Sequence, residues 1–236
     1  MLFRNFHKKT GVSSIRDVRE VFDQLPPPTK EYPRLSSITL PEPHIPNLPF
    51  SDVLASRATH RDFDEEKEIS LETLSTVLFS GAGIQKKIGR NEDIPSRHHP
   101  SGGALYPLEC YVAAFRINSL ESGLYHYNAR AHSLERLPGD EETIWESCKD
   151  MVPAHKPACI LVTTSVWDRS YPKYGEFAYR LALMEAGHLT QDMLLTSAAL
   201  DLKNCPATGF AEETVSKTLD IEHDAEDPLY LLLLGL

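Results

Sequence analysis

The segment Pro100-Ser101-Gly102-Gly103-Ala104-Leu105-Tyr106-Pro107 lies near the middle of this 236-residue chain and separates a polar stretch from an apolar one. Its small hydroxyl and two glycines come just before a predicted short helix. Exposed amide groups and close approach of the backbone at such a turn can hold an anionic or planar ligand. Many glycine-rich turns that open helices bind nothing, so a second feature is needed.

That second feature is the earlier segment Ser56-Arg57-Ala58-Thr59-His60-Arg61-Asp62-Phe63. Arg57 and Arg61 carry two guanidinium groups with the Thr59 hydroxyl between them, and this donor set can bind one phosphate group. The alternative is a pair of solvated arginines in surface ion pairs, which are common and weak.

The residues around the two segments predict both helices and strands. Helices are expected at 50–58, from Ser70 to the glycines at 81 and 83, at about 175–202 and at 212–219. Strands are expected at 110–117, 158–166 and 229–234, with a hairpin formed by 124–127 and 133–137. Residues 84–99 predict an exposed loop. The combination of hairpins and helical crossovers predicts an α+β fold with a mixed central sheet flanked by helices.

The N-terminal part of the chain differs in composition from the rest. Residues 26–49 hold eight of the 17 prolines, which stiffen the backbone without building a core. We therefore expect residues 1–49 to form a proline-rich arm that lies over the body or over a partner, and residues 50–236 to form one domain.

Composition excludes several classes of function. The formal net charge is -10, which argues against nucleic acid or anionic lipid as a partner. No segment has the roughly 20 apolar residues of a membrane span, and the first residues lack the apolar core of a signal peptide. We expect a soluble, cytoplasmic protein. The four cysteines are scattered, which favours buried free thiols over a zinc site or a redox pair.

Taken together and in this order, the two segments resemble the nitroreductase family of FMN enzymes, whose first motif binds the flavin phosphate. The segment at 100–107, followed by Gly123-Leu124-Tyr125-His126-Tyr127, is similar to the SagB-type subgroup. That subgroup includes the azoline dehydrogenases of thiazole/oxazole peptide biosynthesis. Residues 206–210 resemble the loop that passes beside the isoalloxazine, and the resemblance covers roughly 50–235.

The resemblance implies an intertwined homodimer that binds FMN at the subunit interface, with residues from both chains. The implied cofactor-binding residues are Arg57, Thr59, Arg61, Pro100, Ser101, Gly102, Gly103, Leu105, Pro206, Ala207, Thr208 and Gly209. Many family members carry basic residues after the last strand that also touch the phosphate, whereas this sequence ends at Leu236. We therefore expect Arg57 and Arg61 to contribute more to phosphate binding here.

In azoline dehydrogenases a Lys-Tyr pair is implicated in catalysis, and Lys173 and Tyr174 are similar in position. Oxidation of a thiazoline removes a proton from carbon while flavin N5 accepts a hydride, and a neutral lysine or a nearby tyrosine can take that proton. The resemblance thus implies that both residues are catalytic. In the alternative, Lys173 caps the preceding loop and Tyr174 packs at the start of the long helix.

Three functions stay open at this point. The first is a SagB-type dehydrogenase that acts on a small-molecule or modified-peptide azoline. The second is an NAD(P)H-dependent nitro or quinone reductase, and the third is a catalytically quiet flavin-binding module of a biosynthetic complex. The Lys-Tyr pair favours the first.

One polar series on the long predicted helix needs a separate interpretation. Glu185, His188 and Gln191 recur every three residues, which superficially suggests a metal-binding or acid/base face. A di-iron site of this type needs a second such pair on another helix, and the sequence offers none. We predict a buried polar network or a dimer contact instead, and assign no metal to these residues or to His98 and His99.

Overall fold

The central feature of the fold is a seven-stranded sheet, seen in a computed structural model that describes residues 2–12, 25–85, 96–152, 154–222 and 224–236. The strands are β1 (Ser37–Thr39), β2 (Ile69–Ser70), β3 (Ile84–Gln85), β4 (Ser96–Arg97), β5 (Leu108–Ala114), β6 (Ile117–Asn118), β7 (Gly123–Asn128), β8 (Ser133–Leu137), β9 (Cys159–Val166), β10 (Lys203–Ala207) and β11 (Glu226–Gly235). The helices are α1 (Leu2–Lys9), α2 (Phe50–Ser56), α3 (Leu71–Ala82), α4 (Glu141–Glu146), α5 (Tyr171–Tyr174), α6 (Phe177–Ala199) and α7 (Glu212–Thr218).

The sheet has the strand order β1-β8-β7-β5-β9-β11-β10, and every neighbouring pair in it is antiparallel. The predicted α+β class with a central sheet flanked by helices is confirmed, but the expected mixture of parallel and antiparallel neighbours is not found. β9 and β10 do run parallel, as a helical crossover through α6 requires, yet β11 lies between them. The parallel pair among the described strands joins β2 to β6 in a separate small sheet.

Helices cover both faces of the sheet because its strands alternate between two apolar cores. Residues Leu108, Cys110 and Val112 of β5 face the core that contains α3 and α6, whereas Tyr111 and Ala113 face the core beneath α4 and α7. All four cysteines are buried free thiols, as predicted. Burial raises the pKa of the Cys110 thiol to about 12, which makes it a packing residue rather than a nucleophile.

Most predicted elements are confirmed within a few residues. Ser70 is the N-cap of α3, where its side chain accepts a hydrogen bond from the backbone N–H of Thr73 at 3.1 Å. The prediction that the glycines end this helix is confirmed for Gly83, which is its C-cap, and wrong for Gly81, which lies inside α3. Among the described residues, no helix is long and apolar enough to cross a membrane.

The proline-rich arm is extended from residue 25 onward and lies over the body. Its strand β1 pairs with β8 at the edge of the sheet, and Leu40 is buried in the core. The boundary between arm and domain at residues 49 and 50 stays a prediction.

The predicted exposed loop at 84–99 is wrong at its two ends. Ile84–Gln85 pairs with Ser96–Arg97, and the side chains of Arg97 and His99 are buried. The middle of the predicted loop, residues 86–95, lies outside the described residues.

Candidate active site

The glycine-rich turn has an unusual backbone conformation. Gly103, Ala104 and Tyr106 have φ values of 68°, 55° and 47°, a region that non-glycine residues seldom adopt. The Ser101 side chain stabilises the turn by accepting a hydrogen bond from the backbone N–H of Tyr106 at 2.9 Å. The predicted short helix is a single 3-10 turn, Gly102–Ala104. Such local strain is typical of functional sites, where the surrounding structure maintains it.

Lys173 and Tyr174 pack directly against this turn. A Cβ atom placed on Gly103 would lie 2.6 Å from Nζ of Lys173 and 2.8 Å from the hydroxyl oxygen of Tyr174. The lysine is 9% exposed, and its ammonium nitrogen lies 4.8 Å from the centre of the Tyr174 ring. The structure therefore brings two predicted site segments, 100–107 and 173–174, into contact. A side chain at position 103 would therefore force the Lys173 amine and the Tyr174 hydroxyl to move.

Arg169 connects the lysine segment to the same turn, a role that no pattern in the sequence indicates. Its Nη1 donates to the backbone carbonyl of Tyr106 at 3.2 Å, and its Nη2 donates to Oε1 of Glu109 at 2.6 Å. The arginine is 3% exposed. Because a guanidinium bonded on two sides has little freedom to move, Arg169 fixes the position of the turn relative to α5.

A buried pair lies between the turn and α6. Nδ1 of His99 is 2.8 Å from the carbonyl oxygen of Gly81, so this nitrogen carries a proton, and Nε2 is 3.2 Å from Oε1 of Glu185. A hydrogen bond at the second contact requires one more proton, held by the imidazole or by the carboxyl. Glu185 thus belongs to a buried polar pair, as predicted, whereas His188 and Gln191 are exposed on α6.

The arginine segment lies elsewhere, beside the edge strand β10. The backbone N–H of His60 donates to the carbonyl of Asn204 at 2.7 Å, which anchors the segment to that strand. Arg57 and Arg61 retain exposed surface, and within the described ranges no carboxylate pairs with either guanidinium. Arg57 donates to the Thr59 hydroxyl at 3.4 Å. Most of the donors of this cluster are therefore free to bind an anion, which fits a phosphate group.

The predicted flavin loop at 206–209 is partly a strand. Pro206 and Ala207 belong to β10 and pair with Leu232 and Leu231 of β11, so that only Thr208 and Gly209 follow the strand. The expected loop is therefore wrong at Pro206 and Ala207, because an edge strand tolerates a proline, whose missing N–H removes the usual sequence signature of a strand.

The register of the sheet places the candidate residues in two groups. The glycine turn precedes Leu108, which pairs with Ser165 at one end of β5 and β9. At the other end, Cys159 pairs with Leu234, which in turn pairs with Asn204 beside the arginine segment. We call Lys173 and Tyr174 with the glycine turn the lysine group, and residues 57–61 the arginine group. Within one chain these two groups therefore lie at opposite ends of the sheet.

Comparison with known proteins assigns the chain to a family. The model of the nitroreductase family matches residues 54–236. The chain belongs to the nitroreductase family. The resemblance inferred from the two segments is therefore confirmed, and with it the oxidoreductase class.

Two relatives and one solved structure illustrate the breadth of this family. A Methanocaldococcus jannaschii protein named as a nitroreductase, MJ1384, is 29% identical over 196 residues, which cover 82% of this chain and 93% of the relative. The microcin B17-processing protein McbC of Escherichia coli is 26% identical over 181 residues, which cover 74% of this chain but only 65% of McbC. A chain of the E. coli microcin synthetase McbBCD complex with truncated pro-MccB17 bound has a TM-score of 0.65 at 22% identity, over 100% of this chain and 91% of that chain.

Proposed function

We propose that this nitroreductase-family protein is an FMN-dependent dehydrogenase of the SagB type, which oxidises an azoline ring of a small molecule or modified peptide to an azole. The contact of Lys173 and Tyr174 with Gly103 carries the proposal. It joins the pair that resembles the azoline dehydrogenases to the turn that resembles a flavin-binding motif. The similarity to McbC, a peptide-processing protein, supports the same substrate class.

The arginine group supplies the phosphate end of the proposed cofactor site. No carboxylate among the described residues pairs with the guanidinium group of Arg57 or Arg61, and the Thr59 hydroxyl adds a donor between them. A phosphate that accepts from both guanidinium groups would be bound by charge-assisted hydrogen bonds, the stronger kind in proteins. This donor set fits FMN.

The lysine group supplies the proton-transfer end. Azoline oxidation removes two electrons and two protons from the ring, and FMN, when bound, supplies the hydride acceptor at N5. The second proton needs a base close to the ring carbon, and the Lys173 amine and the Tyr174 hydroxyl lie together at the turn. A base in hydrogen-bond reach of its proton contributes ~10²–10⁴-fold to a reaction rate.

A second copy of the chain would bring the two groups together. Helix α6 begins just after Tyr174 and ends before β10, and its exposed residues include Tyr179, Leu183 and Met184. A two-fold axis across α6 would place the lysine end of one protomer beside the arginine end of its partner. We therefore propose a homodimer whose apolar interface includes α6 and whose two cofactor sites each use both chains.

The cofactor part of the proposal is tested by the visible spectrum of the purified protein. Absorption bands of bound flavin, present after purification or restored by added FMN, are the expected result. A protein that shows no such bands even with excess FMN would contradict the cofactor assignment.

The substrate part is tested with a synthetic peptide that contains one thiazoline, incubated in air with the flavin-loaded protein. The expected product has lost two hydrogen atoms, which mass spectrometry detects directly. Lys173→Ala should abolish this loss, whereas Lys217→Ala, which removes an exposed lysine of α7, should retain it.

The same preparations distinguish the reductase alternative. Rapid NADPH-dependent reduction of a nitroaromatic, unchanged in Lys173→Ala and without any thiazoline oxidation, would favour a nitro or quinone reductase. Bound flavin without turnover in either assay would favour a catalytically quiet module.

A further inference from the structure

Tyr106 of the glycine turn is hydrogen-bonded at each of its three polar atoms. Its φ of 47° lies in the left-handed region, which a bulky residue seldom adopts unless its surroundings maintain it. Its backbone N–H donates to the Ser101 hydroxyl at 2.9 Å, and its own hydroxyl accepts from the backbone N–H of Arg97 at 3.3 Å. Its carbonyl accepts from Nη1 of Arg169 at 3.2 Å. The conformation of the turn therefore depends on two arginines.

The first of them, Arg97, also contacts the proline-rich arm. Its guanidinium carbon lies 5.4 Å from the centre of the Tyr106 ring, so the side chain packs on the residue that it holds. Nη2 donates to the carbonyl of Pro28 at 2.9 Å, and Nη1 donates to the carbonyl of Ala82 at 3.0 Å. Arg97 is 4% exposed, and a guanidinium buried to this extent needs its acceptors. The arm supplies one of these two.

The second arginine is connected to the same part of the arm through Glu109. Nη2 of Arg169 donates to Oε1 of Glu109 at 2.6 Å, and the backbone N–H of Lys30 donates to the same oxygen at 2.8 Å. Each of the two side chains is 3% exposed. Because a single oxygen joins the two donors, the position of Arg169 depends on where the arm lies.

Lys30 attaches this part of the arm to the sheet. Its ammonium donates to Oε2 of Glu226 at 2.7 Å and to the Tyr111 hydroxyl at 3.1 Å. It also lies 5.1 Å from the centre of the Tyr32 ring. Residues 28–30, which we call the arm anchor, are thus bonded to the sheet through the lysine and to both arginine contacts through the backbone.

We propose that the arm anchor is a positioning element of the lysine group: the two arginines transmit its docking to Tyr106, and Tyr106 shapes the turn against which Lys173 packs. Displacement of the anchor takes one acceptor from Arg97 and leaves Arg169 on a carboxylate that has lost a donor, so both contacts of Tyr106 loosen. The catalytic part of this role rests on the proposed function of Lys173, whereas the effect of the anchor on the turn does not depend on it.

Lys30→Pro displaces the anchor without changing any residue of the turn. It removes both the ammonium and the backbone N–H that bind carboxylates of the body. Lys156→Pro is the matched control, because Lys156 also donates to two carboxylates, through its backbone N–H to Glu65 and through its ammonium to Glu142. It precedes β9 at the end of the sheet opposite to the turn.

The first measurement is hydrogen exchange of the Tyr106 amide, which is bonded to Ser101 and exchanges when the turn opens. In Lys30→Pro this exchange should become about tenfold faster relative to that of Leu161, a buried residue of β9. Lys156→Pro should leave the ratio unchanged. A wild-type ratio in Lys30→Pro would overturn the proposal, because the variant would then weaken the fold as a whole or not at all.

The second measurement is turnover of the thiazoline peptide by the flavin-saturated protein. Because the anchor affects the position of Lys173 and not the binding of substrate, kcat should fall about tenfold in Lys30→Pro while KM changes little. An unchanged kcat together with faster exchange would overturn the positioning role. A wild-type protein that oxidises no thiazoline would contradict the proposed function, and the exchange ratio would then decide by itself whether the anchor shapes the turn.

Arg97→Lys interrupts the same connection from the body. A lysine keeps the charge but lacks the fork that binds the Pro28 and Ala82 carbonyls together. The exchange ratio should rise and kcat should fall as in Lys30→Pro, so this variant tests the proposal even if Lys30→Pro failed to fold. Arg136→Lys removes a guanidinium that lies 5.8 Å from another tyrosine ring, in the distant hairpin, and should change neither quantity. A wild-type exchange ratio in Arg97→Lys would overturn the proposal.

Discussion

The space that a side chain on Gly103 would occupy is already filled by the ammonium group of Lys173. The distance from the Cβ position to Nζ is only 2.6 Å, shorter than real Cβ contacts. The glycine turn and Lys173 are thus in close contact, although they come from different elements. Disturbing one should therefore disturb the other.

We predict that Gly103→Ala lowers the turnover of the flavin-loaded protein on the order of a hundredfold, because displacement of a reacting group by about 1 Å has effects of this size. Steady-state kinetics with the thiazoline peptide measures it. Gly123→Ala is the matched control, since Gly123 also has positive φ but lies in the distant hairpin at 3.4 Å from Arg136. A similar loss of turnover in both variants would show that backbone strain, not contact with Lys173, is responsible.

Tyr174→Phe should retain the ring that packs beside Lys173 but remove the hydroxyl. If that hydroxyl transfers a proton, kcat should fall by about a hundredfold and the pH profile of kcat should lose one limb. Tyr171→Phe, at a half-exposed position of the same short helix α5, should keep both the rate and the pH profile of kcat. An unchanged profile in Tyr174→Phe would leave the tyrosine with a packing role only.

Arg57→Ala and Arg61→Ala should each reduce the affinity for FMN by about tenfold or more, because each removes charge-assisted hydrogen bonds to the phosphate. Quenching of flavin fluorescence on binding measures the dissociation constant. Arg34→Ala removes an exposed arginine of the arm and should leave the affinity unchanged. Wild-type affinity for FMN in both site variants would show that the phosphate binds outside this cluster.

Met184→Glu should dissociate the proposed dimer, because it places a charge on the exposed apolar side of α6. Analytical ultracentrifugation at several protein concentrations measures the change in mass. Glu213→Gln, on α7, is a surface control outside the proposed interface. A wild-type protein that sediments as a monomer at high concentration would refute the interface itself.

The buried ionic network predicts how stability depends on pH. Burial favours the neutral carboxyl of Glu109, but the hydrogen bond with His126 and the charge of Arg169 lower its pKa from 4.5 to about 2. The carboxylate therefore stabilises the fold above pH 4.5, and this contribution, on the order of 3 kcal/mol, is lost as the pH falls toward 2. The raised pKa of His126 has the opposite sign, so its contribution is full below pH 6.5 and is lost at higher pH.

Urea unfolding at several pH values between 2 and 9 should thus show the highest free energy of unfolding between about pH 4.5, where the Glu109 contribution is complete, and about pH 6.5, above which the His126 contribution is lost. Because other carboxyl groups also titrate in acid, the carboxyl signal of Glu109 should be followed by NMR with ¹³C-labelled glutamate. Titration of this signal at its ordinary value would contradict the predicted network.

The sequence predicts the elements that follow simple patterns. The apolar run of β9 and the periodic apolar residues of α6 identify these elements within three residues of their observed ends. β10 escapes prediction because its sequence, Lys-Asn-Cys-Pro-Ala, lacks both alternation and β-branched residues. Its extended form comes from pairing with β11, which is a tertiary effect.

The ionic network escapes prediction for a different reason. Glu109, His126 and Glu135 alternate with apolar residues on their strands, and polar residues in such positions usually face solvent. In the structure the arm covers them, and each finds a charged partner on another strand. Similarly, the contact of Lys173 with Gly103 depends on how α5 sits on the turn, which no local pattern encodes.

The ion pair between Lys30 and Glu226 joins residues that lie 196 positions apart in the sequence. The arm is made before every strand to which it binds, and it must wait for β11 before Lys30 has its carboxylate. The arm can therefore make this contact only where β11 has joined the sheet. Its docking thus reports whether the sheet is complete.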